Sequence, residues 1–134
     1  MDGTQIIIDT DVIIDYLRRR SDGLVHVLEE FNCATTTITL FELLAVAVRS
    51  TQQEQRLAEF QTIVLTIPFD ESATLAAATI WRNLQNQGQL IGLPDTLIAG
   101  ICVARELPLL TKNVKHYARV TSLQVIHPEE VFTD

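Results

Sequence analysis

Residues 6–17 read IIIDTDVIIDYL, and the change of period inside this stretch decides the fold. Ile6–Ile8 is a short, unbroken β-branched run, the composition of a strand buried on both faces of a parallel sheet. The run ends at Asp9. From Asp11 to Arg20 the apolar positions Val12, Ile13, Ile14, Tyr16 and Leu17 fit a helix, with Asp11 read as its N-cap. A strand that hands over to a helix through an acid is the first half of a βαβ unit.

Outward from this stretch the same alternation continues. Ser21, Asp22 and Gly23 make a turn, Leu24–Phe31 a short helix, and Asn32–Thr37 a second strand. Thr39-Leu-Phe-Glu42 matches the S/T-x-x-E capping box and opens a helix running to about Ser50. Gln52–Gln61 is a further helix with Leu57, Ala58 and Phe60 on one side. Ile63–Ile67 is a third strand, stopped by Pro68, and Asp70 or Ser72 caps a long helix through Gln85 before the Asn86–Gly88 break.

Gly92-Leu-Pro94-Asp95 starts the next helix, with proline where a helix tolerates it best. Its residues Leu97, Ile98, Ile101, Cys102 and Val103 are so apolar that it should be central. Leu107–Thr111 is a fourth strand, Asn113–Arg119 a helical turn, and Leu123–Ile126 a last strand. The expected architecture is α/β, with a central, mostly parallel sheet of about four or five strands flanked by helices in three layers. No repeat or linker divides residues 1–134, which are read as one domain, because two cores within 134 residues would each be too small.

Composition narrows the class. The chain is 47% hydrophobic and 20% charged, ordinary values for a globular domain able to bury a core without staples. Cys33 and Cys102 have no metal-ligand spacing and are expected to be buried, reduced thiols. The opening MDGTQIIID has no basic leader region, and no apolar run approaches the roughly 18 residues that span a bilayer. A cytoplasmic location without membrane association is therefore expected. The net charge of −7 argues against gripping nucleic acid by bulk electrostatics. It leaves room for an enzyme that meets phosphate through a cation, which reverses the local sign.

In open parallel sheets the functional crevice lies beyond the C-terminal strand ends. Asp9 closes the first strand, and Thr111 closes the fourth, followed by Lys112 and Asn113. Glu42 and Asp95 sit in first helical turns entered from that same edge. Three acids from distant parts of the chain can thus share one rim, where they repel unless a cation holds them. An oxygen-only set without His or Cys suits Mg²⁺ or Mn²⁺. Such a cation would polarise a phosphodiester and activate water for attack. Each acid also has a structural account: Glu42 as half of its capping box, Asp95 as a partner of the helix dipole. Asp9 is harder to dismiss, because a carboxylate directly after a buried strand needs a partner.

Three segments carry a resemblance to a known family. IIIDTDVIIDYL (6–17) resembles the opening of PIN domains, in particular the VapC toxins of bacterial type II toxin–antitoxin systems. TITLFELLAVA (37–47) resembles their second motif, and LPDTLIAGICVARELPLLTKNVKHYARV (93–120) their third motif with the T-x-N-x-x-H-aromatic segment after it. The resemblance implies a parallel-sheet fold, dependence on Mg²⁺ or Mn²⁺, and endonucleolytic cleavage of RNA. Position by position it makes Asp9, Glu42 and Asp95 the metal ligands and catalytic acids, with Thr111 helping to position metal-bound water or phosphate and Asn113 a further catalytic candidate. It also implies a homodimer neutralised by a cognate antitoxin protein that reaches into the acidic pocket. Many members carry a fourth acid where this chain has Asn113–His116, so one firmly held metal is expected, with a second only alongside RNA. Lys112, Lys115 and His116 near the rim are candidates for contacting RNA phosphate, against a plain reading of these residues and Arg18–Arg20 as solvated surface charge.

Three rivals share parts of the pattern. IIIDTDVI also fits a haloacid-dehalogenase-like phosphatase, with Asp9 as nucleophile and Asp11 as general acid. That chemistry needs an acidic pair after the lysine, and the next acids, Glu129 and Glu130, lie behind Pro128 near the end. A response-regulator receiver needs an aspartate at the end of a middle strand, where this chain has Pro68. The third rival is a PIN fold kept as a binding module with a silent site, although none of the three acids is missing.

Overall fold

The computed structural model describes residues 5–132. The opening Met1–Thr4, which enters the reading of the leader, and the last two positions of the expected domain lie outside them. Five strands form one sheet in the order β3-β2-β1-β4-β5. They are β1 (Gln5–Ile8), β2 (Asn32–Thr36), β3 (Leu65–Ile67), β4 (Leu109–Leu110) and β5 (Val125–Ile126). Every neighbouring pair is parallel. The helices are α1 (Thr10–Leu17), α2 (Gly23–Glu30), α3 (Thr37–Glu42), α4 (Thr51–Ile63), α5 (Glu71–Asn86), α6 (Leu93–Arg105) and α7 (Val114–Tyr117).

The strands are apolar on both sides because both sides are covered. Ile7 and Leu109 face one core with Ile98, Ile101 and Cys102 of α6. Their neighbours Ile6, Ile8 and Leu110 face the other, with Val12, Ile13, Leu24, Leu57 and Phe60 from α1, α2 and α4. The period of two along β1 and β4 thus divides side chains between two cores, and the three-layer α/β expectation holds. Helix α6 is central as expected: Ile98, Ile101 and Cys102 are fully buried. Its closeness to α5 requires a glycine at position 100, where an added Cβ would lie 2.6 Å from that of Ala77.

Several boundaries differ from the sequence-based expectation. The third strand begins at Leu65, because Ile63 belongs to the last turn of α4. The fourth and fifth strands keep two residues each, since the ladder is shorter than the apolar runs Leu107–Thr111 and Leu123–Ile126. Helix α3 starts one turn earlier than Thr39. Its cap is Thr36, whose side chain accepts a hydrogen bond from Thr39 N at 3.0 Å. Beyond Glu42 the helix widens into a π turn at Leu43–Ala47, which leaves Phe41, Leu44 and Val46 between 61% and 70% exposed.

β1 is central, and the chain builds β2 and β3 on one side of it before crossing to build β4 and β5 on the other. The gap beyond the ends of β1 and β4 is therefore the point where the winding reverses, the place where such sheets bind ligands.

Candidate active site

Asp9 leaves β1 at that reversal point. Its backbone is extended and occupies the N-cap position of α1, yet its side chain makes no capping bond. The carboxylate turns instead to β4. The Thr111 hydroxyl donates to Asp9 Oδ2 at 2.8 Å and also lies 3.3 Å from Asp11 Oδ2. Thr111 is fully buried, and its oxygen accepts a bond from Asn113 N at 3.0 Å. Asn113 thereby fixes the hydroxyl through its backbone, while its side chain stands exposed at the cap of α7.

Asp11 is not the helix cap that its position suggests. It lies inside the first turn of α1, where Oδ2 accepts from Lys112 N at 3.1 Å. Its Oδ1 is buried with no hydrogen-bond partner. Asp9 and Asp11 therefore stand side by side in a poorly solvated gap. Burial, then the charge of Asp11, pushes the Asp9 carboxyl up to about 7, with a smaller push from Asp95 and opposing bonds from Thr111 and the Thr10 backbone. Burial also raises the Asp11 carboxyl.

Glu42 has lost the role in a capping box that would have explained it structurally, because the cap lies at Thr36. Its Oε1 accepts from the hydroxyl of Thr10, the residue after Asp9, at 2.7 Å. Thr10 Oγ1 also lies 3.1 Å from the buried hydroxyl of Thr39. Asp95 stands in the first turn of α6, whose entry needs Gly92 at φ +91°, a conformation costly for any other residue. Its Oδ2 lies 3.1 Å from His116 Nε2.

Tyr117 is fully buried, and its hydroxyl lies 3.4 Å from Asp9 Oδ1. Burial, followed by the charges of Asp9 and Asp95, raises its phenol well above the ordinary value, so it remains a donor. The sequence pattern marks Tyr117 only as the aromatic of the T-x-N-x-x-H-aromatic segment, and Asp11 reads there as a cap or, in the phosphatase rival, as a general acid. Both belong to the acidic gap.

The remaining sequence candidates make contacts of their own. Lys112 Nζ reaches Asp15 Oδ2 at 2.6 Å. Lys115 is exposed, and His116 is half-buried, with Nε2 also 2.6 Å from the carbonyl of Ile91. Arg18 donates to the Ala47 carbonyl at 2.9 Å, and Arg20 lies 3.7 Å from Asp15. Cys33 and Cys102 are free and buried as expected.

The site thus brings Asp9, Asp11 and Thr111 into direct contact, with Asp95 near enough to act on Asp9 through its field. Glu42 is joined to the same corner through Thr10. Among the described residues, no group of three or more His, Cys, Asp or Glu side chains stands close enough to hold one ion. The donor set nevertheless fits a hard divalent cation: carboxylates and hydroxyls meet at the gap, one buried carboxylate oxygen lacks a partner, and the charge of Asp11 bears on the buried Asp9. No helix among the described residues is long and apolar enough to cross a membrane.

Comparison with known proteins agrees with this architecture. The chain is 33% identical over 118 residues to Ribonuclease VapC1 of Methanocaldococcus jannaschii, covering 87% of this chain and 82% of that one. It is 26% identical over 129 residues to the tRNA(fMet)-specific endonuclease VapC of Salmonella typhimurium, covering 90% and 96%. Among solved structures, VapBC2 from Rickettsia felis bound to a promoter DNA fragment superposes with a TM-score of 0.82 at 22% identity, covering 92% of this chain and 98% of that one. At that identity the likeness is one of fold. The PIN domain model matches residues 6–122, a span that contains every acid of the gap, and the chain belongs to the PIN-domain family.

Proposed function

We propose that this protein is a metal-dependent endoribonuclease of the VapC toxin type. The observation that carries this reading is the pair of adjacent acids, buried Asp9 and half-buried Asp11, packed against Thr111 at the reversal point of a PIN sheet with one buried Asp11 oxygen left unpartnered. Asp9, Glu42 and Asp95 are the proposed ligands, and Mg²⁺ or Mn²⁺ is the proposed ion, because the donors are all oxygen. When bound, the cation supplies charge to a phosphodiester and acidifies water beside it.

The chain's own residues do the remaining work. Thr111 holds the Asp9 carboxylate from the position just after β4, and Asn113 holds Thr111. Thr10 orients Glu42 from the residue beside Asp9. Lys115 and Lys112 lie on the rim, where phosphate of an RNA strand would pass, Lys112 after release from Asp15. The acidic surface and the exposed Phe41, Leu44 and Val46 suit burial against protein. Homodimerisation and capture by a cognate antitoxin that carries a cation into the gap are therefore part of the proposal.

Purified protein with Mn²⁺ or Mg²⁺ is expected to cut RNA internally, chelation to stop cutting, and Asp9→Asn to abolish it with the fold intact. Cleavage by Asp9→Asn at the wild-type rate would sink the reading. Growth arrest on expression, absent in Asp9→Asn and relieved by the antitoxin gene, tests the toxin assignment separately.

A further inference from the structure

The His116 side chain leaves the exposed edge of the α7 turn and points inward. Its Nε2 has two acceptors within reach, the Ile91 carbonyl at 2.6 Å and Asp95 Oδ2 at 3.1 Å. Both are acceptors only, so Nε2 carries the proton and the tautomer of the neutral ring is set. The Ile91 carbonyl belongs to the segment that enters α6 just ahead of Gly92, so His116 is anchored to the same backbone that positions Asp95. The next residue, Tyr117, is packed among Ile98, Ile101 and Cys102 and directs its hydroxyl to Asp9 Oδ1, 3.4 Å away. The two rings meet edge-on, with centroids 6.0 Å apart and planes at 85°.

We infer that His116 is a positioning residue that sets the Asp95 carboxylate for a metal ion, while Tyr117 steadies Asp9 from the same turn. This inference rests on the ribonuclease reading above. It gives His116 a different task from contacting RNA phosphate, because the nitrogen that would donate is already committed to Asp95 and Ile91. Carboxylate ligands depend on such outer partners for orientation, and removing one lowers metal affinity or activity by about 10- to 100-fold. The Tyr117 contact is longer than a usual O–H···O bond, which ends near about 3.0 Å, so its share is the smaller one.

The test is Mn²⁺ binding to the full chain without RNA, measured calorimetrically for wild type, His116→Ala, His116→Gln, Tyr117→Phe and Asp9→Asn. Glutamine can place an amide donor where Nε2 stands, whereas alanine cannot. His116→Ala is expected to weaken Mn²⁺ binding at least about 10-fold, His116→Gln to restore most of it, and Tyr117→Phe to weaken it by a smaller factor. Nitrogen NMR of the metal-free wild type should show a proton on His116 Nε2. Three results overturn the inference: unchanged Mn²⁺ affinity in His116→Ala, a rise in KM for RNA without a change in Mn²⁺ affinity, or equal loss of thermal stability in both His116 variants with affinity unaltered. Wild-type Mn²⁺ affinity in Asp9→Asn would instead overturn the metal site itself, and the inference with it.

Discussion

The Thr111 hydroxyl has one proton and two carboxylates competing for it, at 2.8 Å and 3.3 Å. Its own burial means that water cannot replace the bond if it is lost. Thr111→Val keeps the shape and removes the donor, so Asp9 is left with less support inside the fold. The expected loss is about 1–3 kcal/mol, read from urea unfolding in the presence of chelator; a change within error would mean that the hydroxyl does not support Asp9. A titratable residue of another kind lies away from the acids. Cys33 sits under α2, its sulfur 3.7 Å from the Val27 carbonyl and 3.6 Å from that of Phe31, and burial pushes its thiol from 9.0 up to about 11. A group whose folded pKa lies above its unfolded one stabilises fully below the unfolded value and loses that contribution as pH rises through the folded one. Wild type should therefore lose about 2 kcal/mol more than Cys33→Ala by pH 11, measured by denaturant unfolding across pH 8 to 11. Parallel pH profiles would refute it.

At the scale of elements, the turn into α3 separates structure from function at Glu42. As a capping-box partner Glu42 would stabilise the helix N-terminus. With the cap at Thr36, it sits at the helix's far end and accepts a hydrogen bond from Thr10. Glu42→Gln keeps an acceptor for that hydroxyl and removes only the charge. Stability should change by less than about 0.5 kcal/mol, while metal-dependent RNA cleavage falls by at least about 100-fold. Loss of stability with cleavage retained would reinstate the structural role. The same turn shows what a sequence pattern carries. Thr39-Leu-Phe-Glu42 matches a capping box, but Thr36 and Thr37 are equally able to begin a helix, and only the end of β2 decides between them. Ile6–Ile8 was legible because it is buried on both faces over its full length. Leu107–Thr111 was legible as a strand, but its extent was not, because apolar residues continue past the last ladder bond. The three acids were legible as one edge because one closes a strand and two open helices entered from the C-terminal strand ends. Asp11 was set below the other acids by its resemblance to a cap, and Tyr117 was masked by its apolar body, because the partner of each lies about a hundred residues away.

Over the whole molecule, a net charge of −7 and a gap lined by acids place the same demand on the fold. The two cores on either side of the sheet hold the chain together without help from the gap, so the protein should remain folded when divalent ions are removed. The acids in the gap nevertheless oppose folding, because Asp9 is buried with the half-buried Asp11 held beside it. A cation that binds only the folded chain returns this loss by mass action. At about 100-fold above its Kd it adds about 2.7 kcal/mol, which for a domain of this size raises Tm by roughly 10 °C. Scanning calorimetry of wild type should show that rise with Mn²⁺, and a single cooperative transition at lower temperature with chelator. Asp9→Asn should gain nothing from Mn²⁺. It should also melt above chelated wild type, since the neutral side chain no longer repels Asp11 while still accepting from Thr111. If wild type unfolds when chelated, the two cores are insufficient alone and the ion is structural. If Mn²⁺ leaves the melting curve unchanged, the acids hold no ion in the free protein, and their repulsion must be relieved by a partner's cation instead.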